Sequence, residues 1–293
     1  MKSYLSVIGC LVLLATIIFG GSITAEFTHD FTANPYDAGF EYRGLQYEND
    51  LYTESFPPDP PAFSWDDNNG VLECHWNSHN NNAIFAKALP FWIDETSDFE
   101  FAFEIELTLV DSHDFHQIAV GFRNLDTINF SRSGNNMGDP DCPLTCKDIV
   151  EWGYIPDNEW GTPRIYPIIA TSRGDDFISN WVMDTTTLVT GERYRVEQKW
   201  NSSTRLFHLN MWVKHEGDWL ALQAEDITTP IELPSNRGFQ LNAFAINQYK
   251  NFADFWDWGT PHNKNILTGN IYNISYSIDL NKTNVRDWHL YDH

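Results

Sequence analysis

Between residues 99 and 109 the chain alternates with a period of two. Phe99, Phe101, Phe103, Ile105, Leu107 and Leu109 take one set of positions, and Glu100, Ala102, Glu104, Glu106 and Thr108 the other. That period puts one kind of residue on each face of a strand, whereas a helix would scatter the glutamates around its circumference. The polar stretch 111–114 then reads as a turn and 116–122 as a second strand. The pattern predicts a long half-buried hairpin near the middle of an antiparallel sheet. Its apolar face calls for a second layer. Glu104 and Glu106, neighbours on the other face, are left for solvent, a bound cation or the hydroxyls of a ligand.

The same alternation recurs downstream. Tyr194, Val196, Gln198 and Trp200 alternate with charged residues; so do Phe207, Leu209, Met211 and Val213 with polar ones, after a turn at 201–203. The last strand sets Tyr272, Ile274, Tyr276, Ile278 and Leu280 on one face. Shorter strands are predicted at 71–77, with Leu72, Cys74 and Trp76 inward, at 83–89 (ended by Pro90), and at 148–155, 165–171 and 238–248. No amphipathic helix and no fixed-period repeat is visible. These strands predict an all-β, two-sheet antiparallel fold, a sandwich or a jelly roll. In it Phe101, Phe103, Ile105 and Leu107 should pack against Leu209, Met211, Ile274 and Tyr276.

The ends of the chain depart from this pattern. Lys2, an apolar run over 8–19 and small residues up to Ala25 read as a secretory signal peptide cleaved after Ala25. The run is short for a membrane span, and no later stretch is long enough. The mature chain is therefore expected to be secreted, periplasmic or on the cell surface, with no membrane span. Residues 26–63, rich in proline, predict an extended N-terminal arm packed through Phe27, Phe31, Tyr36 and Phe40. The sandwich domain is expected over 64–282 and a tail over 283–293. The formal charge of −23 repels nucleic acid and anionic membranes and disfavours polyanionic glycans. Cys142 and Cys146, four apart in the irregular stretch 124–147, suit a small-loop disulfide in an oxidising compartment. Cys74 reads as a buried free thiol.

The runs FSWDDNNGVLECHWNS (63–78), FAKALPFWIDETSDFEFAFEIEL (85–107) and HQIAVGFRN (116–124) resemble a group of exported bacterial proteins of the concanavalin A-like lectin and glucanase superfamily. The resemblance spans roughly residues 42–280 and implies a jelly roll. The superfamily holds lectin-like modules, glycan hydrolases and glycan lyases, so the fold does not choose among activities. Calcium is common in it, and Asp139 and Asp141, with Asp148, offer oxygen ligands, although no EF-hand spacing is present. Its retaining endoglucanases carry Glu-x-Asp-x-x-Glu, with a nucleophile first and an acid/base last. Asp148 and Glu151 match the second and third places, but Cys146 stands in the first. A retaining mechanism needs two carboxylates about 5–5.5 Å apart, so the departure falls on the nucleophile.

Twelve tryptophans bring in a different chemistry, since indole and phenol rings stack on the C–H faces of sugars. Trp152, Tyr154, Trp160 and Tyr166 cluster after Asp148; Trp256 and Trp258 lie with Asp254, Asp257 and His262. Core packing is the competing use of each ring. No phosphate loop, nucleophile elbow or zinc-protease helix is present. The expectation is a non-catalytic, carbohydrate-binding module for a neutral oligo- or polysaccharide, with its site where 148–166 approaches 252–262. The alternatives are a glycoside hydrolase or lyase using Glu151 with Asp148 and Glu104 or Glu106, and a structural or adhesive surface protein. Asn129, Asn201, Asn273 and Asn281 head Asn-x-Ser/Thr triplets.

Overall fold

The strands with one wet face assemble into a single layer. In the computed structural model, β6 (Asp98–Asp111) lies between β12 (Arg193–Asn201) and β17 (Ile266–Leu280). Beyond β12 come β13 (Leu206–His215) and β14 (Asp218–Ala221), with the short β15 (Ile231–Glu232) beside β13. Beyond β17 come β4 (Val71–Asn77) and β3 (Phe63–Asp66), and β1 (Ile23–His29) pairs with the far half of β17. The second, eight-stranded sheet is built from β2 (Phe40–Gly44), β5 (Ala83–Asp94), β7 (Ile118–Arg123), β8 (Ile149–Ile155), β9 (Arg164–Thr171), β10 (Asp176–Ser179), β11 (Val182–Met183) and β16 (Gln240–Gln248). Its order is β10-β9-β8-β7-β16-β5-β2, with β11 beside β9. The structure describes residues 23–44, 61–77, 83–111, 118–127, 148–156, 163–171, 176–179, 182–183, 187–223, 226–249 and 266–280. Among these, a single 3-10 turn at Leu125–Thr127 is the one helical piece, and no helix is long and apolar enough to cross a membrane. The architecture is the all-β jelly-roll sandwich that the alternation implies.

Two expectations about pairing are corrected. β6 and β7 do not form a hairpin: they lie in different sheets, β6 against β12 and β17, β7 against β8 and β16. Period two reports which face a residue takes, not which strand lies alongside. Likewise Phe101, Phe103, Ile105 and Leu107 share a sheet with Leu209, Met211, Ile274 and Tyr276. All eight are buried, but the opposing layer is supplied by Phe122, Trp152 and Phe244. Phe101 meets Phe122 edge-on with centroids 5.5 Å apart, and Phe103 meets Trp152 at 5.2 Å. Such edge-to-face pairs add to the burial of large rings.

Two β-bulges re-aim side chains on β6 and β17. Thr268 pairs with Leu109 and Gly269 with Leu107, so Thr108 is an extra residue and the alternation slips. Leu109, expected inward, is 46% exposed. Only glycine fits at 269, because a Cβ there would collide with the Glu106 carbonyl oxygen. Further along, Ile271 pairs with Ile105 and Ile274 with Phe103, leaving Tyr272 and Asn273 together opposite Glu104. Tyr272 thus points outward, not inward with Ile274.

The stretch read as an arm supplies β1 and β2. Phe27 stacks on Tyr276 at 5.1 Å, and Phe31 and Phe40 are buried. The Lys87 ammonium donates to the Ala38 carbonyl and lies over the Phe27 ring. β1 begins before Ala25, with Ile23 opposite Leu280 and Ala25 opposite Ile278. β5 also runs on through Pro90, where the register against β16 jumps between Leu241 and Ala243. A proline inside a strand is tolerated at such an irregularity.

Candidate functional site

The outer face of the eight-stranded sheet has a floor of small residues. Ala245 lies between Ala86 and Gly121, Ala119 between Asn247 and Gly153, and Glu151 between Gly121 and Ile168. The glycines are required by close approach. A Cβ on Gly121 would sit 2.5 Å from the Glu151 Cα, and one on Gly153 would sit 2.9 Å from the Tyr166 ring.

On this floor four polar side chains converge. The Tyr249 hydroxyl donates to Glu151, lying 2.8 Å from both carboxylate oxygens. Asn247 Nδ2 donates to Glu151 Oε2 at 3.1 Å. Arg123 Nη1 donates to Asn247 Oδ1 at 2.6 Å and to the Tyr249 hydroxyl at 3.4 Å. Glu151 and Asn247 are 0% exposed, Tyr249 1% and Arg123 3%. Burial pushes the Glu151 carboxyl up to about 7, against the pull of the Arg123 charge and the Tyr249 hydrogen bond. Burial, reinforced by Glu151, also pushes Tyr249 and Tyr166 up. A buried carboxyl raised in this way, with specific polar partners, is a candidate functional group.

The sequence-derived site residues fall in four places. Asp148 precedes β8; it is buried, and its carbonyl accepts from the Asn124 amide at 2.9 Å. Trp152 and Tyr154 are corrected as ligand-stacking residues. Because Glu151 faces outward, its neighbour Trp152 and then Tyr154 must face the core. Trp152 stacks on Tyr154 at 6.0 Å and both are 0% exposed; the Tyr154 hydroxyl accepts from the Leu188 amide. Tyr166 does face outward, against Gly153, but is buried.

Glu104 and Glu106 lie on the outer face of the other sheet, across the whole core from Glu151. They cannot share a cleft with it, which removes that part of the hydrolase alternative. Glu104 forms an ion pair with Arg193 and accepts from Asn273 Nδ2 at 2.9 Å. Glu106 accepts from the Tyr272 hydroxyl at 2.6 Å, and the Arg193 guanidinium lies 3.5 Å from the Tyr272 ring centre. The repulsion between two neighbouring carboxylates is thereby offset. Trp160, Trp256, Trp258, Asp254, Asp257, Asp139, Asp141, Cys142 and Cys146 lie outside the described residues. Cys74 is a free thiol, 2% exposed, which burial holds well above its ordinary pKa. Among the described residues no three metal-ligating side chains come together.

Arg123, Asn247 and Tyr249 were not singled out from the sequence. The signal for the last two was present, since Ala243, Ala245, Asn247 and Tyr249 share one parity in residues 243–249. Gln248 pairs with Ile118, Ile118 with Tyr154, and Tyr154 with Ile165. The chain thus leaves this sheet beside Tyr249 at Ile118, Ile155 and Arg164, all at one end of the sandwich.

No family profile and no curated relative matches the chain. Solved structures do. The basic lectin of winged bean, in complex with Tn-antigen, superposes with a TM-score of 0.51 at 14% identity, covering 88% of this chain and 99% of the lectin. The acidic lectin of winged bean, bound to methyl-alpha-D-galactose, superposes with a TM-score of 0.50 at 15% identity, covering 88% and 100%. The chain has the concanavalin A-like jelly-roll fold of legume lectins along most of its length.

Proposed function

We propose that the protein is an exported carbohydrate-binding β-sandwich that holds a neutral oligo- or polysaccharide at the end of the eight-stranded sheet marked by Tyr249. The observation that carries this reading is the convergence of Glu151, Asn247, Tyr249 and Arg123 on a floor of alanine and glycine. A carboxyl, an amide, a phenol and a guanidinium offer donors and acceptors in the mixture that vicinal hydroxyls require. The segments that leave the sheet beside this cluster include 156–163 and 250–265, whose Trp160, Trp256 and Trp258 are the proposed stacking platforms, with Asp254 and Asp257 as acceptors. The charge of −23 favours a neutral glycan over an anionic one. Asp139 and Asp141, the candidate calcium ligands, lie outside the described residues.

A second reading is supported by one observation. Glu151, with its pKa raised to about 7, is suited to general acid or base work near neutral pH. The place that the retaining pattern gives to the nucleophile is held by Cys146, however, not by a second carboxyl. The binding reading is therefore preferred. The test is a glycan array probed with the chain from residue 26 onward, followed by incubation of each bound glycan with the protein. Retention of an intact neutral glycan supports the module. Cleavage that disappears in Glu151→Gln supports the enzyme. An array with no bound glycan overturns both.

A further inference from the structure

The four Asn-x-Ser/Thr triplets differ sharply in what their asparagines do. Asn129 and Asn281 lie outside the described residues. Asn273 sits in the β17 bulge, and its Nδ2 is committed to Glu104. Asn201 ends β12 at the tip of the β12–β13 hairpin, where it pairs with Leu206 across a four-residue turn. Its side-chain oxygen takes three hydrogen bonds: from the Ser203 amide at 3.0 Å, the Ser203 hydroxyl at 2.7 Å and the Thr204 amide at 3.0 Å. Among the described residues Nδ2 donates to none. Ser203 and Thr204 are exposed.

The turn is fixed independently of the Asn201 nitrogen. The Ser202 amide donates to Asp98 Oδ1 at 2.6 Å. Arg205 adopts φ 57°, which costs a non-glycine residue some energy. Its guanidinium is held by the carbonyls of Leu233, Pro234 and Arg237 at 2.9, 2.9 and 2.7 Å. A substituent on Nδ2 therefore breaks no bond of the fold, whereas one on Asn273 breaks the bond to Glu104.

We propose that Asn201 is an N-glycan acceptor site and that Asn273 is not. The triplet is the acceptor signature of exported chains, and here its hydroxyl is already bonded to the asparagine oxygen, leaving the nitrogen free. In the transfer, Nδ2 bonds to the anomeric carbon of a lipid-diphosphate-linked oligosaccharide. The bond from that carbon to the diphosphate oxygen breaks, the diphosphate leaves with the electron pair, and Nδ2 releases one proton. Asn201 lies beside the Phe99 end of β6, where its neighbour Trp200 packs on Phe239 just before β16 begins, opposite the end where Tyr249 leaves β16. A glycan there stays clear of the proposed binding end. The proposal rests on the export reading only for the compartment in which the donor is met.

The test expresses the full chain in a eukaryotic secretory host, in one arm with its own leader and in the other with a host leader in place of residues 1–25. Protein from the medium is treated with an N-glycan amidase in heavy-oxygen water, and its peptides are mass-mapped. The expected result is labelled aspartate at 201, unlabelled asparagine at 273, and loss of one glycan's mass in Asn201→Asp, which keeps the oxygen that the turn bonds and should melt with the amidase-treated wild type. Secreted protein carrying unmodified Asn201, or a glycan on Asn273, would overturn the proposal. Failure of the natural leader alone counts against export, while the host-leader arm still reads Asn201.

Discussion

The two outer faces of the sandwich are both polar at their centres, yet they are built in opposite ways. On the nine-stranded sheet Glu104, Glu106, Arg193, Tyr272 and Asn273 are half-buried and pair with one another near the surface. On the eight-stranded sheet Glu151, Asn247, Tyr249 and Arg123 are buried on a floor of alanine and glycine. In the first group opposite charges lie side by side and offset one another, with part of each side chain still open to solvent. The second group is held away from water, so its proton equilibria shift and its polar atoms are costly to leave unmatched. The contrast is what supports the site proposed on the second face.

The largest effect should come from the core between the faces. Phe103→Ala removes a buried ring that packs on Trp152 and should cost about 3–5 kcal/mol. Denaturant melts check this, and an equal loss in Glu104→Gln would mean that the two faces of β6 have been exchanged.

Next comes Glu151. Its folded pKa of about 7 lies above the unfolded value. The folded state therefore binds more protons between those two values, and the group's contribution to stability falls as pH rises through that window. Complete ionisation above it should cost on the order of 3 kcal/mol. Glu151→Gln should flatten the pH dependence of stability between about pH 4.5 and 7. A dependence that persists unchanged in the variant would show that Glu151 is not buried as described.

A smaller gain is expected in the core. Gln198 is 0% exposed, and among the described residues neither its amide oxygen nor its nitrogen has a hydrogen-bond partner. Gln198→Leu keeps the volume and removes the unmatched atoms, so it should stabilise by about 1–2 kcal/mol. A loss in thermal melts would instead reveal a bond to internal water. Smallest of all, Glu104→Gln should change stability by about 1 kcal/mol or less, since its ion pair with Arg193 is partly solvated.

The same contrast explains what was legible in the sequence. β6, β12, β13 and β17 announce themselves because one face is wet and the other dry. β7 and β8 are buried along every residue, so their composition carries little alternation, and the crossing of β6 into another sheet leaves no local trace. The bulges at Thr108 and at Tyr272–Asn273 were invisible, because an extra residue alters parity without altering composition. Glu151 was legible only through the resemblance to the endoglucanase motif, whose third place it takes. Trp152 and Tyr154 were assigned to the site for their chemistry, although their parity against Glu151 already excluded them. Asn247 and Tyr249 were overlooked because a lone amide and phenol among alanines look unremarkable until β16 is placed beside β7.

The most direct test uses matched amides, one from each face. Asn247→Ala and Asn273→Ala are each titrated with a neutral glycan found on the array, with melts confirming that both variants are folded and Tyr249→Phe as a second probe of the buried cluster. Binding energy concentrated at the eight-stranded face predicts that Asn247→Ala loses about tenfold or more in affinity, that Tyr249→Phe weakens binding in the same direction, and that Asn273→Ala leaves it unchanged. Loss in Asn273→Ala with full affinity in the other two would place the ligand on the nine-stranded face and contradict the assignment.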